Sequence, residues 1–384
     1  MTLLAGACSD TITDTNGDAS PGPTPTQMEL GGEEAPLIRE FERQMLLFGR
    51  SVGNQQQFAE RPDNPTSAEE EAYQETQYYD GLQAHQEVRN YVLENELSGD
   101  RVDSYMSNVE DYIAKSLEVV RDNYVLFHQG GNAVRDWRRF PKGLYFHYQD
   151  TEDQDSYDAV LLLRDGKTEG TGNPAGNSNF ANASWIREMS YWLQAHTWAE
   201  KLDDSRDAGR VQKYVEYLEN HLHQIRNGTS SQAFYMGLIG MALIEWYEHA
   251  GNEYWPAGNW ATIPDALEDF YGWMIDQGPD GAKMLSGSRA GDPFWIEDYN
   301  DSGTGMFYSS MGGSAPYTEV QNLITPIYYW IGMYRNDHEF IKLGDKVFAG
   351  AVTHSSPGSP KAFGQHVYIA VQGLRWRQKY IDSN

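Results

Sequence analysis

Two acidic residues stand in settings that glycosidic chemistry would use. Asp80 lies within Tyr78-Tyr79-Asp80-Gly81, and Glu188 sits in a stretch rich in Trp and Tyr that includes Trp185, Tyr191 and Trp192. Cleavage of a glycosidic bond takes two carboxyl groups flanking the sugar, one to protonate the leaving oxygen and one to act as base or nucleophile. Indole and phenol faces supply stacking platforms for the sugar ring. Plain structure accounts for the same residues: Asp80 as a turn cap, and Arg187 with Glu188 as a helix-surface pair. With 56 acids in the chain, carboxylates beside aromatics also arise by chance. Asp80 and Glu188 are therefore the catalytic candidates under a glycan-enzyme reading.

Other chemistry has less behind it. Asp298, Asn300, Ser302 and Gly303 have the alternating spacing of the first half of a calcium loop, but Ser309 stands where an EF-hand places its bidentate Glu. Asp14-Thr15-Asn16-Gly17-Asp18 fails in the same way, at Pro25. Asx turns explain both stretches. His221-Leu222-His223 is the one close histidine pair, and residues i and i+2 of a helix face different directions. The chain has no HExxH, Walker loop, Rossmann fingerprint or GxSxG elbow. No metal site and no cofactor is expected.

Two groups of residues suit binding. Arg135, Arg138, Arg139 and Lys142 form a basic island in a chain of net charge -27, fit for a carboxylate, a headgroup or an acidic partner. Aromatics in loop-like stretches, Trp255, Trp260, Phe294, Trp295, Tyr299, Phe307, Tyr308 and Tyr317, are harder to bury than those on helices. They are candidates for a glycan cleft or a protein-contact patch. The overall charge argues against phosphate backbones and polybasic membrane docking, so no nucleic acid is expected as a partner.

The elements that must position these residues read as helices. From residue 36 onward the apolar period is close to 3.6, with Val102, Tyr105, Met106, Val109, Tyr112, Ile113, Leu117 and Val120 the cleanest stripe. Helices are expected at about 36–48, 67–92, 102–120, 142–150, 155–164, 183–202, 208–226, 231–250, 264–277, 318–335, 339–353 and 360–380. Acidic or glycine-containing turns join them in pairs. A train of such hairpins predicts an all-α chain closing into an α/α toroid, with 165–182 and 279–316 as long loops over one end.

The N-terminus carries a different message. Leu3-Leu4-Ala5-Gly6-Ala7-Cys8-Ser9-Asp10 resembles the end of a bacterial lipoprotein signal, with Ala5 where that family usually has leucine. The resemblance implies acylation of Cys8 and attachment to a bilayer facing the periplasm or cell exterior. Residues 9–35 are rich in Ser, Thr, Asp, Gly and Pro and have six acids and no Lys or Arg, the composition of an extended tether. The expected organisation is thus 1–8 as a signal remnant, 9–35 as a tether and 36–384 as one helical domain.

Tyr78-Tyr79-Asp80-Gly81, Trp185-Ile186-Arg187-Glu188-Met189, Val320-Gln321-Asn322-Leu323-Ile324, and Gly344 to Gly350 through Lys361 to Gln365 together resemble an uncharacterised family of secreted bacterial all-helical proteins. That family is similar to the six-hairpin glycosidases and polysaccharide lyases. The resemblance spans roughly residues 70–380 in order and implies the toroid fold. His366-Val367-Tyr368-Ile369-Ala370 stand where such relatives carry Asn, Arg, Trp and Asp, so it hands on no active site. The function expected first is a lipid-anchored, non-catalytic accessory subunit docked on membrane protein subunits, as in electron-transfer or photosynthetic complexes. The alternative is a surface glycoside hydrolase or lyase acting on neutral glycans.

Overall fold

A computed structural model describes residues 36–384 except 58, 64–65, 67, 70–72, 74–78, 127–137, 166–185, 204, 229–230, 257, 277–280, 282–294, 299–303 and 308–317. The described part is mostly helical and all-α. Its helices are α1 (Pro36–Gln57), α2 (Gly81–Glu94), α3 (Asp100–Met106), α4 (Val109–Leu117), α5 (Lys142–Thr151), α6 (Gln154–Asp165) and α7 (Ile186–Asp203). They continue with α8 (Ala208–Arg226), α9 (Ala233–Ala250), α10 (Ile263–Ile275), α11 (Thr325–Arg335), α12 (His338–His354), α13 (Pro360–Val367) and α14 (Ala370–Asp382). One two-stranded antiparallel ladder, β1 (Trp295–Ile296) with β2 (Met306–Phe307), lies between α10 and α11.

Side-chain caps start several helices where the sequence supplies them. Asp207 accepts from the Arg210 amide at α8, Thr262 from Asp265 at α10 with Pro264 in the first turn, and Ser359 from Ala362 at α13 beside Pro360. Four expected helices are each broken, for local reasons. The run 67–92 breaks at Tyr79 and Asp80, both at positive φ, so that α2 starts at Gly81. The run 102–120 divides because Ser107 and Asn108 side chains both donate to the Ser104 carbonyl, in competition with the helix ladder. Beyond Leu117 it continues as a π-helical stretch, Glu118–Val125. The run 318–335 divides into a 3-10 turn, Thr318–Leu323, and α11, because Pro326 has no amide hydrogen to offer the preceding turn. The run 360–380 divides at Tyr368 and Ile369, which turn inward and are buried.

Neighbour relations follow a closed order. α2 packs on α5, α5 on α7, α7 on α9, α9 on α11, α11 on α14, and α14 returns to α2. Outside them, α6 packs on α5 and α7, α8 on α7, α10 on α9 and α11, α12 on α11, and α1 on α2. The sequence differs between these layers. α9 is buried nearly all round, from Ala233 to Trp246, whereas α8 buries one stripe through Val211, Tyr214, Leu218, Leu222 and Ile225. The C-terminal ends of neighbours in this order meet, as those of α9 and α11 do through the Tyr247 and Tyr334 hydroxyls. Further bonds there join Arg89 of α2 with Asp150 of α5, Arg206 with Glu253, Arg375 of α14 with Glu94 of α2, and Asn384 with Asn336.

Candidate functional site

Asp80 is fully buried at the first turn of α2, where the inner helices converge. Its Oδ1 accepts from the Gln83 amide at 2.9 Å and its Oδ2 from the Gly143 amide at 3.1 Å. One carboxyl thus caps α2 and ties it to the first turn of α5. The approach requires glycine at 143, because a Cβ there would lie 2.6 Å from Asp80 Oδ1 and 2.7 Å from the Gln83 nitrogen. Tyr79 and Asp80 both adopt positive φ, 61° and 49°, which non-glycine residues enter at a cost. Burial pushes the Asp80 carboxyl up to about 7, against the pull of its two amide donors and Lys142.

Around it lies a set of partners brought in from distant segments. Lys142 Nζ stands 3.4 Å from Glu245 Oε1, with both side chains buried. Glu245 Oε2 accepts from Trp198 Nε1 at 2.8 Å and from Gln194 Nε2 at 3.2 Å. The Tyr368 hydroxyl, also buried, meets the Gln194 amide. Five segments, α2, α5, α7, α9 and the α13–α14 junction, therefore supply one buried polar cluster. Glu245 carries no motif. A long apolar run with a single acid at 245 was the available hint, since a charge on a helix buried all round needs a partner.

Glu188 belongs to other surroundings. It lies on α7, with Oε1 bonded to Arg187 at 2.8 Å and Oε2 buried without a partner. Trp192 and His196 follow it at i+4 and i+8 on the same face. They meet α8, where Tyr214 stacks on Trp192 at 5.9 Å and on His196 at 5.5 Å, and Tyr217 stacks on His221. Trp192 Nε1, His196 Nε2 and His221 Nε2 also lack hydrogen-bond partners among the described residues. Loss of water lowers both histidines to about 4. The structure thus separates the two expected catalytic carboxyls: Asp80 in the polar cluster, Glu188 in the α7–α8 seam.

The basic island is corrected from a surface patch to buried packing. Arg139 is fully buried, its guanidinium 3.6 Å from the centre of the Trp192 ring and bonded to the Leu163 carbonyl. Arg138 lies over Tyr124, and Lys142 serves Glu245. These cations are inside because aromatic faces and carbonyl or carboxylate oxygens replace their water. Arg135 lies outside the described residues.

The four described loop aromatics are corrected likewise, for Trp295 and Phe307 are buried and lie apart from Trp255 and Trp260. Trp295 pairs with Phe307 across the β1–β2 ladder, with ring centres 4.8 Å apart. The Gln321 amide bonds both the nitrogen and the oxygen of Phe307, acting as a third strand. Trp255 and Trp260 are half-buried at the opposite end, in the α9–α10 turn, where Trp255 Nε1 donates to the Trp260 carbonyl and Trp260 Nε1 to Asp269. Phe294, Tyr299, Tyr308, Tyr317, Trp185, Asn300, Ser302 and Cys8 lie outside the described residues. Among the described residues no three His, Cys, Asp or Glu side chains come together to hold a metal ion, and no helix is long and apolar enough to cross a membrane.

These features define the class: a mostly helical, all-α protein with a buried polar cluster where its inner helices meet. Comparison with family models, with curated proteins and with solved structures finds no match to this chain.

Proposed function

We propose that the helices close into an α/α toroid and that this body is a non-catalytic accessory or scaffold subunit. In this reading the acylated Cys8 and the acidic tether hold it at a membrane, facing the periplasm or exterior, against membrane protein subunits. The closed order of inner-helix neighbours supports the toroid. The observation that carries the accessory role is the buried polar cluster. There Asp80, Lys142, Glu245, Gln194 and Tyr368 are buried and bonded to one another or to backbone, so the groups that would meet a substrate are engaged in holding helices together. Gentle detergent extraction of native membranes, followed by sizing and mass spectrometry, tests it. Co-migration with a fixed set of membrane subunits is the expected result, and migration alone would sink the reading.

One observation favours the glycan-enzyme alternative. A carboxyl that holds a proton near neutrality, on a backbone strained at two successive residues, is a feature enriched at catalytic sites. Turnover in a panel of neutral glycans that disappears in Asp80→Asn and in Glu188→Gln would move the conclusion to that reading.

A further inference from the structure

The end of the ring where the inner helices terminate carries an apolar arc set in unneutralised acid. Phe146 on α5 packs against Trp198 on α7 with ring centres 5.7 Å apart, and Lys201 Nζ lies 3.8 Å from the centre of the same Trp198 ring. On the next two helices, Trp330 Nε1 donates to Glu248 at 3.0 Å, Tyr334 stacks on Trp330 at 4.9 Å, and the Tyr247 hydroxyl meets that of Tyr334 at 2.7 Å. The arc is partly open to solvent: Tyr334 is 42% exposed, and Leu93, at the last turn of α2 on the same end, is 62% exposed. These are two of the three large hydrophobic residues exposed among the described ones.

The charge around them is mostly negative, although Lys379 in the last turn of α14 and Arg101 beside Asp100 are exposed cations at this end. Arg89, Arg206, Arg335 and Arg375 at this end are each held by two carboxylates of the chain itself. Glu96 and Glu152 in the α2–α3 and α5–α6 turns, with Asp100 and Asp155 at the starts of α3 and α6, are exposed and make no ion pair among the described residues. An apolar centre inside a charged rim is the anatomy of a protein interface, and aromatic faces among carboxylates favour a cation bearing an apolar stem. Where this end already binds a cation, it does so in that way, with Lys201 on Trp198, Arg206 over Trp246 and Arg335 over Tyr334.

We propose that this end is the docking face, and that it takes a lysine- and arginine-bearing segment of a partner protein. This rests on the accessory reading and specifies its interface. Electrostatic complementarity speeds the encounter and the arc supplies the anchor, so charge and apolar contact make separable contributions.

The test uses the full chain and an immobilised lysine-rich peptide carrying one leucine, with binding measured at low and moderate salt. Neutralising the four free carboxylates (E96Q, D100N, E152Q and D155N together) is expected to weaken binding about tenfold at low salt and to flatten the salt dependence. Removing four charges from the tether instead (D10N, D14N, D18N and E29Q) makes the same change in net charge and is expected to cost less than about twofold. Tyr334→Ala is expected to weaken binding about fivefold with the salt dependence kept. Equal loss in the two neutralised variants would reduce the effect to net charge and overturn the proposal, as would wild-type affinity in Tyr334→Ala. In membrane extracts, variants that still co-migrate as the wild type does would overturn this face while leaving the accessory role intact. A wild type that migrates alone would remove the accessory role, with the peptide measurements still deciding the face.

Discussion

The α2–α5 contact around Asp80 and the α7–α8 seam around Glu188 each bury a carboxyl, and they resolve the cost of doing so differently. At Asp80 both oxygens are met by backbone amides, with Lys142, Glu245, Gln194 and Trp198 bonded in succession close by. Among the described residues the first region leaves only the neutral amide oxygens of Gln83, Gln86 and Gln194 without partners, whereas the seam leaves a carboxylate oxygen of Glu188 unmet together with one ring nitrogen each of Trp192, His196 and His221. A buried polar atom without a partner costs about 1–3 kcal/mol, so the first region contributes to cohesion and the second offsets part of its apolar gain.

Breaking the buried Lys142–Glu245 pair therefore has the largest effect expected here. Lys142→Met leaves Glu245 buried without its cation and should cost about 3–5 kcal/mol of unfolding free energy, read by chemical denaturation. A loss below about 1 kcal/mol would show that the pair does little. Gly143→Ala comes next, at about 3 kcal/mol. Its Cβ would meet a backbone nitrogen and the Asp80 carboxyl, and neither can move without opening the α2–α5 contact.

Acid sharpens the comparison, because the two regions respond with opposite sign. His196 and His221 are lowered to about 4 by burial, so between their ordinary value near 6.5 and about 4 the unfolded chain binds protons that the folded chain does not. Stability contributed there is complete above pH about 6.5 and falls as the pH drops toward 4. The double variant His196→Leu/His221→Leu should flatten that fall by an amount of the order of 2 kcal/mol, seen in a series of denaturation curves. An unchanged pH slope would place the acid sensitivity elsewhere, with His85 and His366, both lowered to about 3 by burial, the next to replace.

Asp80 acts the other way. Its folded value near 7 exceeds the ordinary carboxyl value near 3.8, so the folded state holds the extra proton between them and stability falls as the pH rises through that window. The advantage of wild type over Asp80→Asn should thus be greatest near pH 4 and shrink toward pH 7. A constant difference would mean that Asp80 stays ionised throughout. The smallest effect belongs to the seam at neutral pH. His196→Leu removes an unpartnered nitrogen and is expected to change stability by less than about 1 kcal/mol, with a gain as readily accommodated as a loss.

Much of the helical layout was legible, since α6, α8, α9, α10 and α12 follow the 3.6-residue apolar period within a few residues at each end. Asp80 as a helix cap was legible too, because an Asp before a helical run accepts an amide hydrogen in most such settings. The breaks at Ser107, Leu323 and Tyr368 were missed because apolar residues continue in phase across them. Pro326 was visible, but its effect depends on which turn lies N-terminal to it. The basic island was misplaced for a related reason: four cations close in sequence look like a surface patch until Trp192, the Leu163 carbonyl and Glu245 are brought to them from distant segments.

By itself, the sequence determined that this chain would be helical, acidic and rich in buried aromatics. Periodicity and composition act locally, and they survive any arrangement of the helices. Tertiary structure alone decided that Asp80 and Glu188 belong to separate regions and that Lys142 answers Glu245 across 103 residues. A buried charge's partner is set by which helix faces converge, and that convergence depends on the packing of every helix between them.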